Sequence, residues 1–329
     1  MKRHRRWKGL FVLAAVGTLA VLLFWKHRDA GATAVSQDRD FHFKLAGRTR
    51  YYSIHLPRGY DGRYRLPVVL VLHGGGGDAR VTRRQTQMDR VSDRFGFLAV
   101  YPEGTGILRH KLLTWNAGSC CGYAVKKQVD DVGFIAAVLD DLNRRLPIDS
   151  KRVYATGMSN GAMMCYRLAC ELSDRIAAIA PVSGTMGVDG PRPPRAMPIL
   201  LFHGLMDRNA PFRGGVGANA ISNVAHRSVP DTVAWWCRVN GCDGGHPHVM
   251  RGSELVLKTY TPPGKSFEQA PAPIVLYELL EGGHTWPGGV DVTPRLNTGK
   301  LVQSVDASTI MWEFFRQFTT DGRAPVAEQ

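Results

Sequence analysis

The feature that most constrains the fold of this chain is the run Gly-Met-Ser-Asn-Gly at residues 157–161. Residues 152–156 have the pattern of a short buried strand, and residues 162–169 have that of a helix. A Gly-x-Ser-x-Gly run between a strand and a helix predicts a nucleophile elbow, a sharp turn that holds Ser159 clear of a sheet edge. The glycines let the strand and the helix approach where a Cβ would not fit. The alternative is a helix that begins with a serine cap.

The order of apolar segments predicts the fold class. Beyond residue 35, strand-like and helix-like stretches alternate, which predicts an α/β fold with a mostly parallel, doubly wound sheet and helices on both faces. The predicted strands are 50–56, 67–72, 97–101, 153–156, 176–182, 198–202 and 274–278. The predicted helices are 86–95, 130–146, 162–169, 231–239 and 304–318.

The distribution of charge argues against a nucleic-acid-binding protein. The 329-residue chain has a net charge of +14, but residues 1–28 contain seven basic residues and no acid. The remainder has 35 basic residues against 28 acidic ones, with no basic stripe interleaved with aromatic residues. We therefore expect no nucleic-acid partner.

The N-terminal residues have the pattern of an export segment. A densely basic start (1–8) leads into an uncharged, mostly apolar run (9–25), and small residues at 30–34 offer a cleavage site. We expect residues 1–35 to be a signal peptide or a signal anchor that engages the membrane or the export machinery. Residues 36–329 are expected to form a single catalytic domain that is secreted or periplasmic. Cleavage and anchoring both stay open.

The six cysteines are compatible with an exported, oxidised protein, and reduced, buried thiols are the alternative. We expect a disulfide between Cys237 and Cys242, which flank a chain reversal at a helix end. A second expected bridge joins a loop to the helix after the elbow, as Cys120 or Cys121 with Cys165 or Cys170. No Cys-x-x-Cys or His-x-x-x-His spacing occurs, so we expect no metal site.

A glycine-rich loop after the predicted strand 67–72 indicates a site that stabilises negative charge. Residues 73–77 read His-Gly-Gly-Gly-Gly, a sequence in which backbone N–H groups can converge on one point. A phosphate-binding loop is the rival interpretation, but no Lys-Ser or Lys-Thr follows. The prediction is an oxyanion hole, formed by the N–H groups of Gly74, Gly75, Gly76 and Asn160.

The end of another predicted strand supplies a candidate acid. Asp207 follows strand 198–202 within the run His-Gly-Leu-Met-Asp, and it comes after Ser159 in the chain as the triad acid of this fold does. Three competing acids have no strand directly before them: Asp189, Asp231 and Asp243. An acid that caps a turn is the alternative interpretation of Asp207.

The candidate base is His284, in a glycine-rich loop after the predicted strand 274–278. A histidine that leaves a strand in such a loop can reach the serine and accept its proton. His284 also completes the chain order serine, acid, histidine. His203 is the main competitor, but its position before Gly204 favours a structural role.

Four motifs together resemble a known group of enzymes. They are the loop at 73–77, Trp-Asn-Ala-Gly-Ser-Cys-Cys-Gly at 115–122, the elbow at 157–164 and Gly-His-Thr-Trp-Pro-Gly at 283–288. This combination resembles the exported polyhydroxybutyrate (PHB) depolymerases and feruloyl or acetylxylan esterases, over about residues 40–318. The resemblance implies an α/β-hydrolase fold and ester hydrolysis by Ser159 with Asp207 and His284, without a cofactor or metal.

The expected mechanism is attack by Ser159 on an ester carbonyl, followed by hydrolysis of the acyl-enzyme. Trp115 and Trp286 are predicted to line an acyl pocket, although both also fit a core position. This sequence lacks the polymer-binding module of many depolymerases, which favours soluble hydroxyalkanoate oligomers or acylated saccharides as the ester substrate. The chain is expected to be a monomer. An acyltransferase of the same fold and a membrane-anchored, non-catalytic binding protein stay open as alternatives.

Overall fold

The computed structural model describes residues 38–220, 222–292 and 298–323 of the chain. Its main element is a ten-stranded β-sheet. The predicted export segment, 1–35, lies outside the described residues. Within the described ranges, no helix is long and apolar enough to cross a membrane.

The central strands of the sheet are parallel and its outer strands are antiparallel. Their order across the sheet is β1 (Asp38–Leu45), β2 (Arg48–His55), β4 (Leu98–Pro102), β3 (Leu66–Leu72), β5 (Ile148–Met158), β6 (Ala178–Val182), β7 (Ile199–Gly204), β10 (Ile274–Leu279), β9 (Leu255–Tyr260) and β8 (His248–Arg251). A separate two-stranded ladder joins β11 (Phe318–Thr319) to β12 (Gly322–Arg323). Because β4, β3, β5, β6, β7 and β10 are parallel, their carboxyl ends lie along one edge of the sheet.

Helices cover both faces of the sheet. The described helices are α1 (Ala79–Thr86), α2 (Met88–Phe95), α3 (Gly122–Lys126), α4 (Asp131–Arg145), α5 (Asn160–Glu171), α6 (Val229–Asn240) and α7 (Ala307–Phe315). Buried side chains of α4, α5 and α6 belong to the core on one face, and those of α1, α2 and α7 belong to the core on the other. This arrangement confirms the predicted fold class.

The two cores follow from the composition of the central strands. All seven residues of β3 are buried. Val68, Leu70 and Leu72 contribute to one core, whereas Val69 and Val71 contribute to the other, because alternate side chains of a strand point to opposite faces. A continuous apolar run is therefore the pattern of a strand that is covered on both sides.

The outer strands β1 and β8 differ from the central ones in burial. In β1, Asp38, Asp40 and Lys44 are exposed, and all four residues of β8 are exposed. The predicted strands included neither β1 nor β8, and they also lacked β9, the neighbour of β8. The predicted helix 86–95 is also different, because Gln87 adopts a left-handed backbone (φ 54°) that separates α1 from α2.

The cysteine pairing predicted from the sequence is wrong. Cys165, Cys170, Cys237 and Cys242 are all free, so neither expected bridge is present. Cys165 lies on the buried face of α5 and is 0% exposed. Cys242 Sγ donates to Ala272 O (3.7 Å) and does not bond to Cys237, so these two residues do not form the expected bridge.

Candidate active site

Ser159 occupies a strained turn between β5 and α5. Its backbone is in an unusual positive region (φ 57°, ψ −120°), as expected of the central residue of a nucleophile elbow. A Cβ on Gly157 would lie 2.8 Å from Leu72 O, and a Cβ on Gly161 would also collide with Leu72 O. Both glycines are therefore required where β3, β5 and α5 meet, and the side chain of Ser159 is half-buried at the edge of the sheet.

The glycine-rich loop after β3 packs directly against the elbow. A Cβ on Gly74 would lie 3.6 Å from Ser159 Cβ, and one on Gly75 would lie 3.7 Å from Asn160 Cβ. Gly76 N–H donates to Leu113 O (2.8 Å), so the structure removes Gly76 from the predicted oxyanion donors. Asn160 is the first residue of α5, where N–H groups have no partner within the helix. The candidates that remain are the N–H groups of Gly74, Gly75 and Asn160.

His73 supports this loop from below. Its Nε2 accepts from Gly104 N–H (2.9 Å), which leaves Nδ1 to donate to Gly74 O (2.7 Å). The side chain is 1% exposed, and burial lowers its pKa to about 4. His73 is thus a neutral group that fixes the backbone of the loop.

Trp115 and Asn160 connect the loop to the elbow. Trp115 N–H donates to Asn160 Oδ1 (2.7 Å), and Asn160 Nδ2 donates back to Trp115 O (3.0 Å). The Trp115 indole N–H donates to His73 O (2.9 Å). Each partner is buried, so these bonds hold the predicted oxyanion donors in a fixed relation to one another.

The prediction that two tryptophans line an acyl pocket is not met. Trp115 and Trp286 are 0% and 1% exposed, and each indole N–H is used within the core. The indole of Trp286 donates to Ser308 Oγ (3.0 Å), which in turn donates to Thr86 O (2.6 Å). Both side chains occupy the core, which was the alternative interpretation.

A buried ion pair beneath residues 115–122 was not expected from the sequence. Arg50 on β2 donates to Asp131 Oδ1 (2.6 Å) at the start of α4, and both side chains are almost completely buried. Asp131 Oδ2 accepts from Asn116 N–H (2.8 Å), which ties the pair to the segment that holds Asn160. These partners are far apart in sequence, and no local motif marks them.

The predicted acid and base are in contact. His284 Nδ1 lies 2.8 Å from Asp207 Oδ2, and both side chains are buried. The other oxygen, Asp207 Oδ1, accepts from Asn209 N–H (2.9 Å) and Ala210 N–H (2.8 Å). Although burial acts to raise the pKa of Asp207, His284, His203 and the Ala210 N–H together hold it below its ordinary value. Asp207 is therefore an ionised carboxylate aligned with the imidazole.

The competing residues are engaged elsewhere. His203 Nε2 donates to Ala210 O (2.8 Å), and burial lowers the pKa of His203, so it is a neutral support for the turn that carries Asp207. Each competing acid has another partner: Asp189 pairs with Arg227, Asp231 accepts from Ser228, and Asp243 contacts His246. Another histidine not expected from the sequence, His226, interacts electrostatically with His284, and burial lowers the pKa of His226.

Backbone bonds place the serine and the acid–base pair on the same edge of the sheet. Ser159 N–H donates to Val182 O, Ser183 N–H to Phe202 O, and Leu205 N–H to Leu279 O, each at 2.9 Å. These bonds extend the ladder past the carboxyl ends of β5, β6, β7 and β10. The hydrogen bonds of the described residues include the contact of His284 with Asp207 but none between Ser159 Oγ and His284. No group of three or more metal-ligating side chains occurs in the described ranges.

Sequence comparisons connect this chain to esterases. A family model described as Esterase PHB depolymerase matches residues 50–207. NocK of Nocardia uniformis subsp. tsuyamanensis, which is named as an esterase, is 31% identical over 264 residues, or 74% of this chain and 73% of that protein. Feruloyl esterase B of Piromyces equi is 28% identical over 198 residues, or 58% of this chain. The match spans 35% of the length of that feruloyl esterase.

Solved structures show the same fold at low sequence identity. A dienelactone hydrolase-like promiscuous phosphotriesterase from metagenomic libraries matches with a TM-score of 0.55 and 14% identity, covering 86% of this chain and 99% of that one. Acetyl xylan esterase from Aspergillus awamori matches with a TM-score of 0.51 and 16% identity, covering 72% of this chain and 89% of that one. At these identities the likeness establishes the α/β-hydrolase fold alone.

Proposed function

Because this chain belongs to the esterase PHB depolymerase family and is a carboxylic ester hydrolase, we propose that Ser159, His284 and Asp207 are its catalytic triad. The observation that carries this proposal is the contact between His284 Nδ1 and Asp207 Oδ2 (2.8 Å). It leaves Nε2 of the imidazole for the proton of Ser159, which stands on the same edge of the sheet.

The proposed reaction begins with transfer of the Ser159 proton to His284 Nε2 as Ser159 Oγ attacks the ester carbonyl. Asp207 keeps Nδ1–H oriented and stabilises the imidazolium. The developing oxyanion accepts from Asn160 N–H and from the N–H groups of Gly74 and Gly75. His284 then protonates the leaving alcohol, and a water molecule, deprotonated by the same imidazole, hydrolyses the acyl-enzyme.

The proposed substrates are acyl esters of saccharides, of the feruloyl or acetyl type, with hydroxybutyrate oligomers as the second class. Sequence relatives named feruloyl esterase B and bifunctional acetylxylan esterase/xylanase support the saccharide esters. The family description supports the hydroxybutyrate esters. Initial rates on methyl ferulate, acetylxylan and hydroxybutyrate trimers would rank the two substrate classes. If the protein hydrolysed none of the three, this assignment would be contradicted.

Replacement of Ser159 by Ala tests the triad directly. We expect S159A to lower ester hydrolysis at least about 10³-fold and to abolish labelling by a fluorophosphonate probe, with little change in thermal stability. Ser183→Ala is the matched control, because Ser183 also has a positive φ (50°) and follows the neighbouring strand β6. Labelling that persists in S159A, or is lost in S183A alone, would place the nucleophile elsewhere.

We also propose that residues 1–35 direct export and that residues 36–329 act as one monomeric catalytic domain. The basic and apolar pattern at the N-terminus supports this proposal. Mass spectrometry of protein recovered outside the cytoplasm would show either a chain that begins near residue 35 or an intact, membrane-bound chain. Recovery of all the active protein from the cytoplasm would contradict export, and light scattering tests the monomer.

A further inference from the structure

Two loops beside Ser159 expose aliphatic side chains. The 104–114 hairpin follows β4 and is closed by bridges between Thr105 and Thr114 and between Leu108 and Lys111. The 205–217 loop follows β7. The exposed aliphatic residues of the two loops are Ile107 (82%), Leu108 (59%), Leu112 (77%), Leu205 (37%), Met206 (62%) and Val216 (53%). Exposed apolar groups that are concentrated in this way mark an interaction surface.

The topology places the two loops on either side of the nucleophile. Both follow the carboxyl ends of parallel strands, and β5, which carries Ser159, lies between β4 and β7 in the sheet. The hairpin is also joined to the glycine-rich loop, because Gly76 N–H donates to Leu113 O. The exposed aliphatic side chains therefore flank the edge that holds the candidate active site.

The exposed charges of these loops are all positive. Arg109, Lys111, Arg208 and Arg213 are exposed. Residues 104–114 contain no acid, and the only acid of residues 205–217 is Asp207, which is buried and occupied by His284. The surface that flanks Ser159 thus combines aliphatic groups with four exposed cations, none of which forms an ion pair with an acid in the described part of the chain. Among them, Arg109 donates to His110 Nε2 (2.6 Å) and lies over the Tyr51 ring.

We propose that the 104–114 hairpin and the 205–217 loop bind the surface of a lipid bilayer that contains anionic phospholipids. Cations next to exposed aliphatic groups are the composition of segments that lie in the interface of such a membrane. A neutral polyester surface has no charge for four cations to match. A hairpin tip whose side chains are up to 82% exposed is convex, so it suits a deformable bilayer better than a shaped protein pocket.

Docking through these loops has a consequence for the reaction, which rests on the proposed function. The carboxyl edge of the sheet would face the membrane, so that Ser159 meets esters presented at or in the bilayer. Docking itself does not require the triad. The decisive experiment therefore measures contact of the loops with lipid, so its failure is distinguishable from failure of the catalytic assignment.

The experiment places a polarity-sensitive NBD dye on the full chain through Ile107→Cys or Met206→Cys. Val249→Cys on the exposed strand β8 is the matched control, and wild-type protein treated in the same way corrects for native thiols. Vesicles are phosphatidylcholine alone or phosphatidylcholine with one third phosphatidylglycerol. We expect a blue-shifted, brighter emission at positions 107 and 206 with anionic vesicles only. Position 249 should not respond, which separates loop contact from any binding by residues 1–35.

A second variant tests the role of charge. In the dye-labelled I107C background, Arg109→Ser with Lys111→Ser should weaken the response to anionic vesicles at least about tenfold, because each basic residue near such a surface adds to the affinity. Hydrolysis of soluble p-nitrophenyl acetate should stay at the wild-type rate, which verifies the fold. The proposal would be overturned if the dye responded at neither loop or responded equally to neutral vesicles. It would also be overturned if the emission shift appeared at high protein concentration without vesicles.

Discussion

Two regions of the molecule each contain a buried carboxylate, and they use it differently. On the nucleophile side, Asp131 pairs with Arg50 at 2.6 Å beneath the segment that holds Asn160. On the acid–base side, Asp207 contacts His284 at 2.8 Å. Burial raises the pKa of Asp131 even though Arg50 opposes it, whereas His284 and a backbone N–H donor hold the pKa of Asp207 below its ordinary value.

The difference lies in what each cation can do. A guanidinium keeps its proton, so the pair of Arg50 with Asp131 is a permanent connection between β2, α4 and the Trp115 segment. An imidazole can accept and release a proton, so the partner of Asp207 can take part in a reaction. A buried carboxylate alone therefore does not identify a catalytic site, but its partner distinguishes the two roles.

The largest effect expected on turnover comes from Asp207→Asn. The amide would hold the imidazole in the wrong tautomer, so kcat should fall about 10⁴-fold while the urea midpoint changes little. Steady-state kinetics on p-nitrophenyl acetate measures kcat, and urea unfolding measures the midpoint. Asp131→Asn is the contrasting variant, and equal losses of kcat in both would remove the distinction between the two regions.

The effect of Asp131→Asn is expected on stability. It leaves Arg50 buried without its charge partner, and breaking a buried pair in this way costs about 3–5 kcal/mol. The free energy of unfolding in urea should drop by that amount. The kcat of the folded fraction, taken from active-site titration with the fluorophosphonate probe, should remain within a few-fold of wild type. A stable D131N protein without activity would assign Asp131 to the chemistry.

A smaller effect is expected from the buried histidine of the nucleophile side. The folded protein holds the pKa of His73 at about 4, below its ordinary value of 6.5, so the unfolded chain binds the proton more tightly between these two values. Stability should therefore fall as the pH is lowered from 6.5 to 4, with a contribution from His73 of up to roughly 3 kcal/mol.

Urea unfolding at several pH values between 7 and 4 measures this dependence. His73→Gln should weaken it, whereas the control His246→Gln, at an exposed histidine, should leave it unchanged. His203, whose pKa burial also lowers, should sustain part of the dependence in H73Q. An unchanged dependence in H73Q would show that His73 is not the neutral buried group inferred from its contacts.

The central sheet was predictable from the sequence because its strands are continuous apolar runs. The prediction for β3 differed from the structure by one residue, and that for α4 by one residue at each end. The strands β1 and β8 were not predicted because they are exposed and carry no such run. The break at Gln87 depends on a single left-handed residue, for which the sequence carries no signal.

The candidate site also has some residues that the sequence predicts and others that it does not. Ser159, Asp207 and His284 could be proposed because each follows a strand in a local motif. The contacts of Trp115 with Asn160 and His73, and that of Arg50 with Asp131, join residues 42 to 81 positions apart. Such contacts depend on how strands and helices pack, so the pattern of one segment does not contain them.

The two outer strands of the sheet have a further consequence, for how copies of this protein behave when crowded. An open sheet ends in rows of unpaired backbone N–H and C=O groups, which can template addition of a strand from another molecule. Here one end strand, β1, exposes the charged side chains of Asp38, Asp40 and Lys44, and the other, β8, is four residues long and ends in Arg251. Both devices disfavour edge-to-edge growth, so a ten-stranded sheet can stay open without nucleating aggregates.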